Sequence, residues 1–153
     1  MLEKLIKTDS GAAALVLRIT LAVVIFPHGA QKLFGWFGGN GFTATLTFFE
    51  NTFGFPAFVT VLVMLAESVG AVLLALGFLT RFTAAAIGLV MAGAVTLVHA
   101  QNGFFMNWYG SKQGEGFEFH LLAIGIVLAL LITGGGFLSI DGAIYQHLKK
   151  RRF

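Results

Sequence analysis

Residues 11–34 read GAAALVLRITLAVVIFPHGAQKLF, with Arg18 and Lys32 the only full charges. A bilayer core takes roughly 20 helical residues at about 1.5 Å each. The stretch is therefore long enough to cross a membrane. Three more of the same kind follow near 55–79, 82–101 and 117–137. They are too continuous for the in-and-out alternation of a barrel strand, and an open sheet cannot satisfy its backbone in lipid. The expectation is an all-α transmembrane four-helix bundle forming a single domain over residues 1–153. Span one lacks a small–x–small cleavage pattern and carries Arg18, so it is read as retained and not as a signal peptide.

Composition agrees. Of 153 residues, 57% are hydrophobic and 11% charged, against a usual charged share of about a quarter. That excludes an ordinary water-soluble globule, and disorder needs the opposite balance. With no cysteine, disulfides, CxxC centres and thiolate sites are ruled out. The net charge of +3 is concentrated in the C-terminal run Lys149, Lys150, Arg151, Arg152. That run follows an apolar span, which points to an anionic lipid surface and not to nucleic acid.

The loops set the orientation. Spans two and three are joined by a tight turn around Thr80 and Arg81. The first and third loops, near 35–54 and 102–116, are rich in Gly and aromatics, with Trp36 and Trp108 at headgroup level. With four spans, Lys4, Lys7, Arg81, Lys149, Lys150, Arg151 and Arg152 share one side, against Lys32 and Lys112 on the other. The positive-inside rule then places both termini in the cytoplasm.

Ionisable groups inside a membrane are costly, so each is a candidate site residue. Arg18 sits about 6 Å to the cytoplasmic side of the middle of its span, and Glu67 sits near the middle of span two. The pair Arg18–Glu67 is the expected buried ion pair, or simply a clamp between two helices. His28, Lys32, His99 and Glu118 converge near the outer ends of their spans. They read as a polar pocket under the aromatic loops, suited to a quinone headgroup, with Lys and His donating to its carbonyls and Glu118 or His relaying protons. The plain alternative is interfacial residues reaching headgroups, with Lys32 snorkelling outward. His120, about 160° from Glu118, is expected toward headgroups or a neighbour. Small residues mark the expected packing faces: Gly88, Ala92, Thr96 with His99, and Glu118, Gly125, Ala129, Gly136. No ligand-spacing motif supports a metal site, and there is no nucleotide or flavin motif.

LRITLAVVIFPHGAQKLFG (17–35), AESVGAVLLALGFLTRFTA (66–84) and GFEFHLLAIGIVLALLITGGGFLSIDGA (116–143) resemble the DoxX family of small four-helix membrane proteins. The family pattern falls on Arg18, His28, Lys32, Glu67, Arg81, Glu118, Ser139 and Asp141. The resemblance implies a bacterial plasma-membrane protein, a small oxidoreductase subunit linked to quinone and to redox-stress or sulfur-redox assemblies. With no cofactor-binding motif of its own, such a subunit needs a redox partner protein. A non-catalytic membrane scaffold is the alternative, and a small transporter the third; a homo-oligomer fits any of them. Ser139 or Asp141 is expected to cap a basic surface helix over 142–150.

Overall fold

In the computed structural model, residues 6–8 and 11–151 are described. Lys4 and Arg152, counted above for orientation and for lipid contact, lie outside them. The described residues are helical or irregular, with no strand among them. The helices are α1 (Ala12–Phe34), α2 (Gly41–Phe53), α3 (Ala57–Glu67), α4 (Val69–Leu76), α5 (Thr80–Ala94), α6 (Glu118–Thr133) and α7 (Ile140–Lys150). Three continuous runs are long and apolar enough to cross a membrane: Ala12–Phe34, Ala57–Leu76 and Thr80–Asn102. The fourth expected span is shorter, because α6 ends at Thr133. Gly134 and Gly136 there adopt positive φ of 74° and 70°, a conformation that ends a helix.

The first loop is not irregular throughout, contrary to expectation. It folds into α2, whose Phe48, Phe49 and Phe53 pack edge to face with one another, while Phe49 and Phe53 also lie tilted against Phe55. Gly39 seats this segment on the end of α1: a Cβ there would fall 2.3 Å from the Gln31 carbonyl oxygen.

α1 packs on α3, α4 and α6, and α5 packs on α4 and α6. Ile25, Leu74, Ile87 and Leu130 are fully buried between them, while Leu89, Leu122 and Ile132 are exposed, as lipid-facing residues are. On α1 the buried face includes Ala14, Arg18, Ala22 and Gly29, in agreement with the helical phase. On α6 the small-residue rule misleads. Its buried face is His120, Ala123, Val127 and Leu130, and Gly125 meets nothing. The small partner comes from α5, where a Cβ on Gly88 would lie 2.9 Å from Val127 Cγ1. Ala92 and Thr96 of the same run are exposed.

Arg18 does not pair with Glu67. Its guanidinium donates to the carbonyls of Ala75, Phe137 (2.8 Å) and Leu138 (2.6 Å). Ala75 is in the last turn of α4, where carbonyls lack helical partners and carry negative partial charge. Asp141 is the acid in electrostatic range of Arg18. Asp141 is itself buried and accepts from the backbone N–H groups of Leu79 (2.9 Å) and Thr80 (2.8 Å), closing the start of α5. The turn into α5 is Gly77–Leu79, so Thr80 and Arg81, expected as the turn, are the first residues of the helix. Arg81 donates to Leu131 (2.8 Å), Ile132 (2.9 Å) and Lys7 carbonyls, closing the end of α6. Ser139 caps α7 by accepting from Gly142 N–H at 3.0 Å. At this end of the molecule, the charged side chains serve the backbone.

Candidate functional site

The opposite end is built differently. Gly29 of α1 lies against the junction of α3 and α4: a Cβ there would fall 2.4 Å from the Glu67 carbonyl carbon and 2.5 Å from Ser68 N. Ser68 separates the two helices at φ −100°, ψ −75°, and its hydroxyl donates to the Met64 carbonyl at 2.6 Å. Only glycine permits this approach. Lys32, three residues further along α1, is thereby brought level with Glu67.

Lys32 Nζ lies 2.6 Å from Glu67 Oε2. The Glu67 side chain is 4% exposed and that of Lys32 25%. The contact is ionic and lacks hydrogen-bond alignment at Oε2. Lys32 Nζ also donates to the His28 carbonyl at 3.4 Å. A lysine so close to the end of its span could have run outward to headgroups. It turns to a buried carboxylate, so the snorkelling alternative does not describe it. The physical reason for the changed pairing is depth. Glu67 is level with Gly29, and Arg18 is eleven residues back along α1, about 16 Å at helical rise.

His28 is in electrostatic range of both Lys32 and Glu67, and its ring centre is 6.4 Å from that of Phe119. His120 faces neighbours, the second of its two expected placements. It is 6% exposed, with its ring centre 4.1 Å from that of His99 and 5.2 Å from that of Phe119. His99 reaches it because residues Val95–His99 form a π-turn. Such a turn adds a residue to the helical cycle, shifts the phase of the residues after it, and is frequent at functional sites. His99 Nδ1 lies 2.8 Å from the Glu115 carbonyl. A carbonyl only accepts, so Nδ1 carries a proton. Among the described residues no three His, Cys, Asp or Glu side chains gather as a metal site would require.

Glu118 stands apart from this group. Its Oε1 accepts from Met106 N–H (2.9 Å) and Trp108 Nε1–H (3.1 Å), holding the third loop at the start of α6. Glu115 accepts from Asn107 N–H at 2.6 Å in the same loop. Of the four residues expected to converge, Lys32 meets Glu67 and His99 meets His120, Phe119 lies against both His28 and His120, and Glu118 braces the loop.

Beside Lys32 is an open hollow of about 280 Å³, lined by Gln31, Lys32, Asn40, Thr45, Phe48 and Phe49 with Gly38 and Gly39. Thr45 Oγ1 is engaged with the Gly41 (2.7 Å) and Lys32 (3.2 Å) carbonyls, and Gln31 Nε2 donates to the Phe37 carbonyl at 3.2 Å. The ammonium has three N–H bonds. One faces Glu67 and one the His28 carbonyl.

The DoxX family profile matches residues 13–100. The chain is similar to a Bacillus subtilis protein named "Putative oxidoreductase CatD", 30% identical over 135 residues, covering 88% of this chain and 89% of that one. It is also similar to an "Uncharacterized protein" of Haemophilus influenzae, 31% identical over 137 residues, covering 88% and 85%. No solved structure matches it significantly.

Proposed function

The chain belongs to the DoxX family of membrane proteins, and we propose that it is a small subunit of a quinone-linked oxidoreductase or redox-stress assembly in the bacterial plasma membrane. Four helices cross the bilayer in this proposal, α6 being the fourth, with both termini cytoplasmic. The basic residues Lys149, Lys150 and Arg151 of the C-terminal segment then meet anionic lipid on the cytoplasmic face.

The observation that carries the proposal is the Lys32–Glu67 ion pair at 2.6 Å beside the aromatic hollow. A charge pair in the membrane is costly, and here it closes no helix end. A quinone headgroup is a neutral, flat ring with carbonyl acceptors. In this reading Lys32 donates to a quinone carbonyl, Phe48 and Phe49 flank the ring, and the isoprenoid tail extends into lipid. When bound, the quinone supplies two-electron, two-proton redox chemistry, while the electron partner is a separate protein.

The test is titration of a short-chain quinone into the protein in nanodiscs. The chain has two tryptophans, so Trp108→Phe leaves Trp36, which adjoins the hollow-lining residue Gly38. Saturable quenching of Trp36, lost in Lys32→Ala, supports the proposal. Absence of saturable quenching in the parent protein contradicts it.

The scaffold reading keeps a specific basis at the other end of the molecule. There Arg18, Arg81 and Asp141 are all occupied with backbone groups. That end holds the helices, and the proposed chemistry is confined to the Lys32 end.

A further inference from the structure

The segment between α1 and α3 forms a helix that its neighbours leave largely uncovered. Of the residues of α2, only Thr45 is buried. Its hydroxyl is engaged with the Lys32 and Gly41 carbonyls, which ties the helix to the last turn of α1. Phe42 and Phe48 are exposed. Soluble proteins rarely leave contiguous apolar surface of this kind in water. Between Lys32 and Glu67 the only charged residue is Glu50.

The residues of α2 are sorted by face. At about 100° per residue, Phe42, Leu46, Phe49 and Phe53 fall within about 60° of one another. Thr43, Thr47, Glu50 and Asn51 fall on a separate arc, and all four are exposed. The helix is amphipathic, yet at about 20 Å it is too short to span a bilayer. Both of its ends are tied to ends of spans. A Cβ on Gly35, which closes α1, would fall 3.6 Å from Gly41 N. At the other end α2 stops at Gly54, three residues before Ala57 opens α3. Exposed aromatics continue on both neighbours, with Phe34 at the end of α1 and Phe58 at the start of α3. The apolar surface of α2 is therefore continuous with that of two runs long and apolar enough to cross a membrane.

We propose that α2 is an interfacial helix, lying along the outer boundary of the bilayer, and that lipid covers its apolar face. Phe42 and its stripe enter the acyl region, while Thr47 and Glu50 face water. Helices of this kind bury one apolar face by about 5–10 Å at the headgroup boundary. One consequence rests on the quinone reading. Phe48 and Phe49 of α2 also line the hollow beside Lys32, so this seat puts the hollow at headgroup depth, where a ligand with a lipid tail arrives without crossing water.

The chain has no cysteine, so one introduced cysteine carries a spin label with no background. Phe42→Cys and Thr47→Cys are each labelled and reconstituted into phosphatidylcholine vesicles. Collisions are then measured with oxygen, which concentrates in lipid, and with a water-soluble nickel chelate. The expected oxygen-to-nickel ratio is several-fold higher at the Phe42 position than at the Thr47 position. Equal ratios, with nickel reaching the Phe42 position, would place the helix in water and overturn the proposal. Shielding of that position from both reagents would assign the face to a protein partner or a second copy, and would overturn it equally. Where Phe42→Cys does not fold, Phe42→Trp in a chain carrying Trp36→Phe and Trp108→Phe reads the same depth by quenching from brominated lipid. No quinone is present in these samples, so the seat of α2 can stand while quinone titration fails, and the reverse.

Discussion

Gly29 rests on the backbone of Glu67 so closely that a methyl group on Gly29 would fall 2.4 Å from the Glu67 carbonyl carbon. This contact sets the register of α1 against α3 and α4, and so decides which cation reaches the carboxylate. Gly29→Ala cannot be absorbed by turning a side chain, because the neighbour is backbone. Overpacking of this kind costs about 1–3 kcal/mol. The expected outcome is a lower melting temperature together with loss of quinone quenching, read by thermal unfolding and Trp36 fluorescence. A variant that melts and quenches as the parent does would break the link between register and site.

Removing one partner of a buried ion pair leaves an uncompensated charge, at about 3–5 kcal/mol. Lys32 is partly exposed, which places Glu67→Gln and Lys32→Met at or below the low end of that range. Their double variant should be more stable than the sum of the two predicts. Arg18→Met and Glu67→Gln should simply add, because those side chains share no contact. A double-mutant cycle on unfolding free energy separates the two pairs. Strong coupling of Arg18 to Glu67 would restore the pairing expected from the sequence.

Arg18 donates to three carbonyls from two directions. A guanidinium fork does this and a single ammonium does not. Arg18→Lys is therefore expected to be destabilised by about 1–3 kcal/mol, since buried carbonyls lose their donors. Unfolding of the two proteins in the same detergent checks this. Quinone quenching per folded molecule should be unchanged.

Glu118 holds the third loop through one carboxylate oxygen that accepts from both Met106 and Trp108. Glu118→Ala should speed amide hydrogen exchange at Met106 and shift the emission of Trp108, while leaving Trp36 quenching intact. Glu118→Gln keeps an oxygen acceptor and should resemble the parent. Loss of quinone binding in either variant would return Glu118 to the pocket.

Much of the fold is legible in apolar run length, and the buried face of α1 in its helical phase. α2 is also within reach: Phe42, Leu46, Phe49 and Phe53 recur at helical spacing between Gly41 and Gly54, a period obscured by the surrounding glycines and aromatics. Other features are not. The π-turn that brings His99 to His120 has no signature in residue type. The buried placement of His120 follows from α6 using a bulky Val127 against Gly88, the reverse of the small-residue expectation. The Arg18–Glu67 pairing fails because a sequence gives depth within each span separately, and the offset between spans is set by Gly29, a tertiary contact. Lys32, His28 and His99 are recognisable as one group from their shared end of the spans. That Glu67 meets Lys32 and His120 meets His99 is decided only once the helices are packed.

The most direct measurement is native mass spectrometry of the protein extracted gently from its own membranes, comparing the parent with Lys32→Ala. The account predicts a bound species of quinone mass on the parent that is absent from the variant at equal folded yield. A parent protein carrying phospholipid alone would contradict it, and would leave the Lys32–Glu67 pair as a fastening between helices.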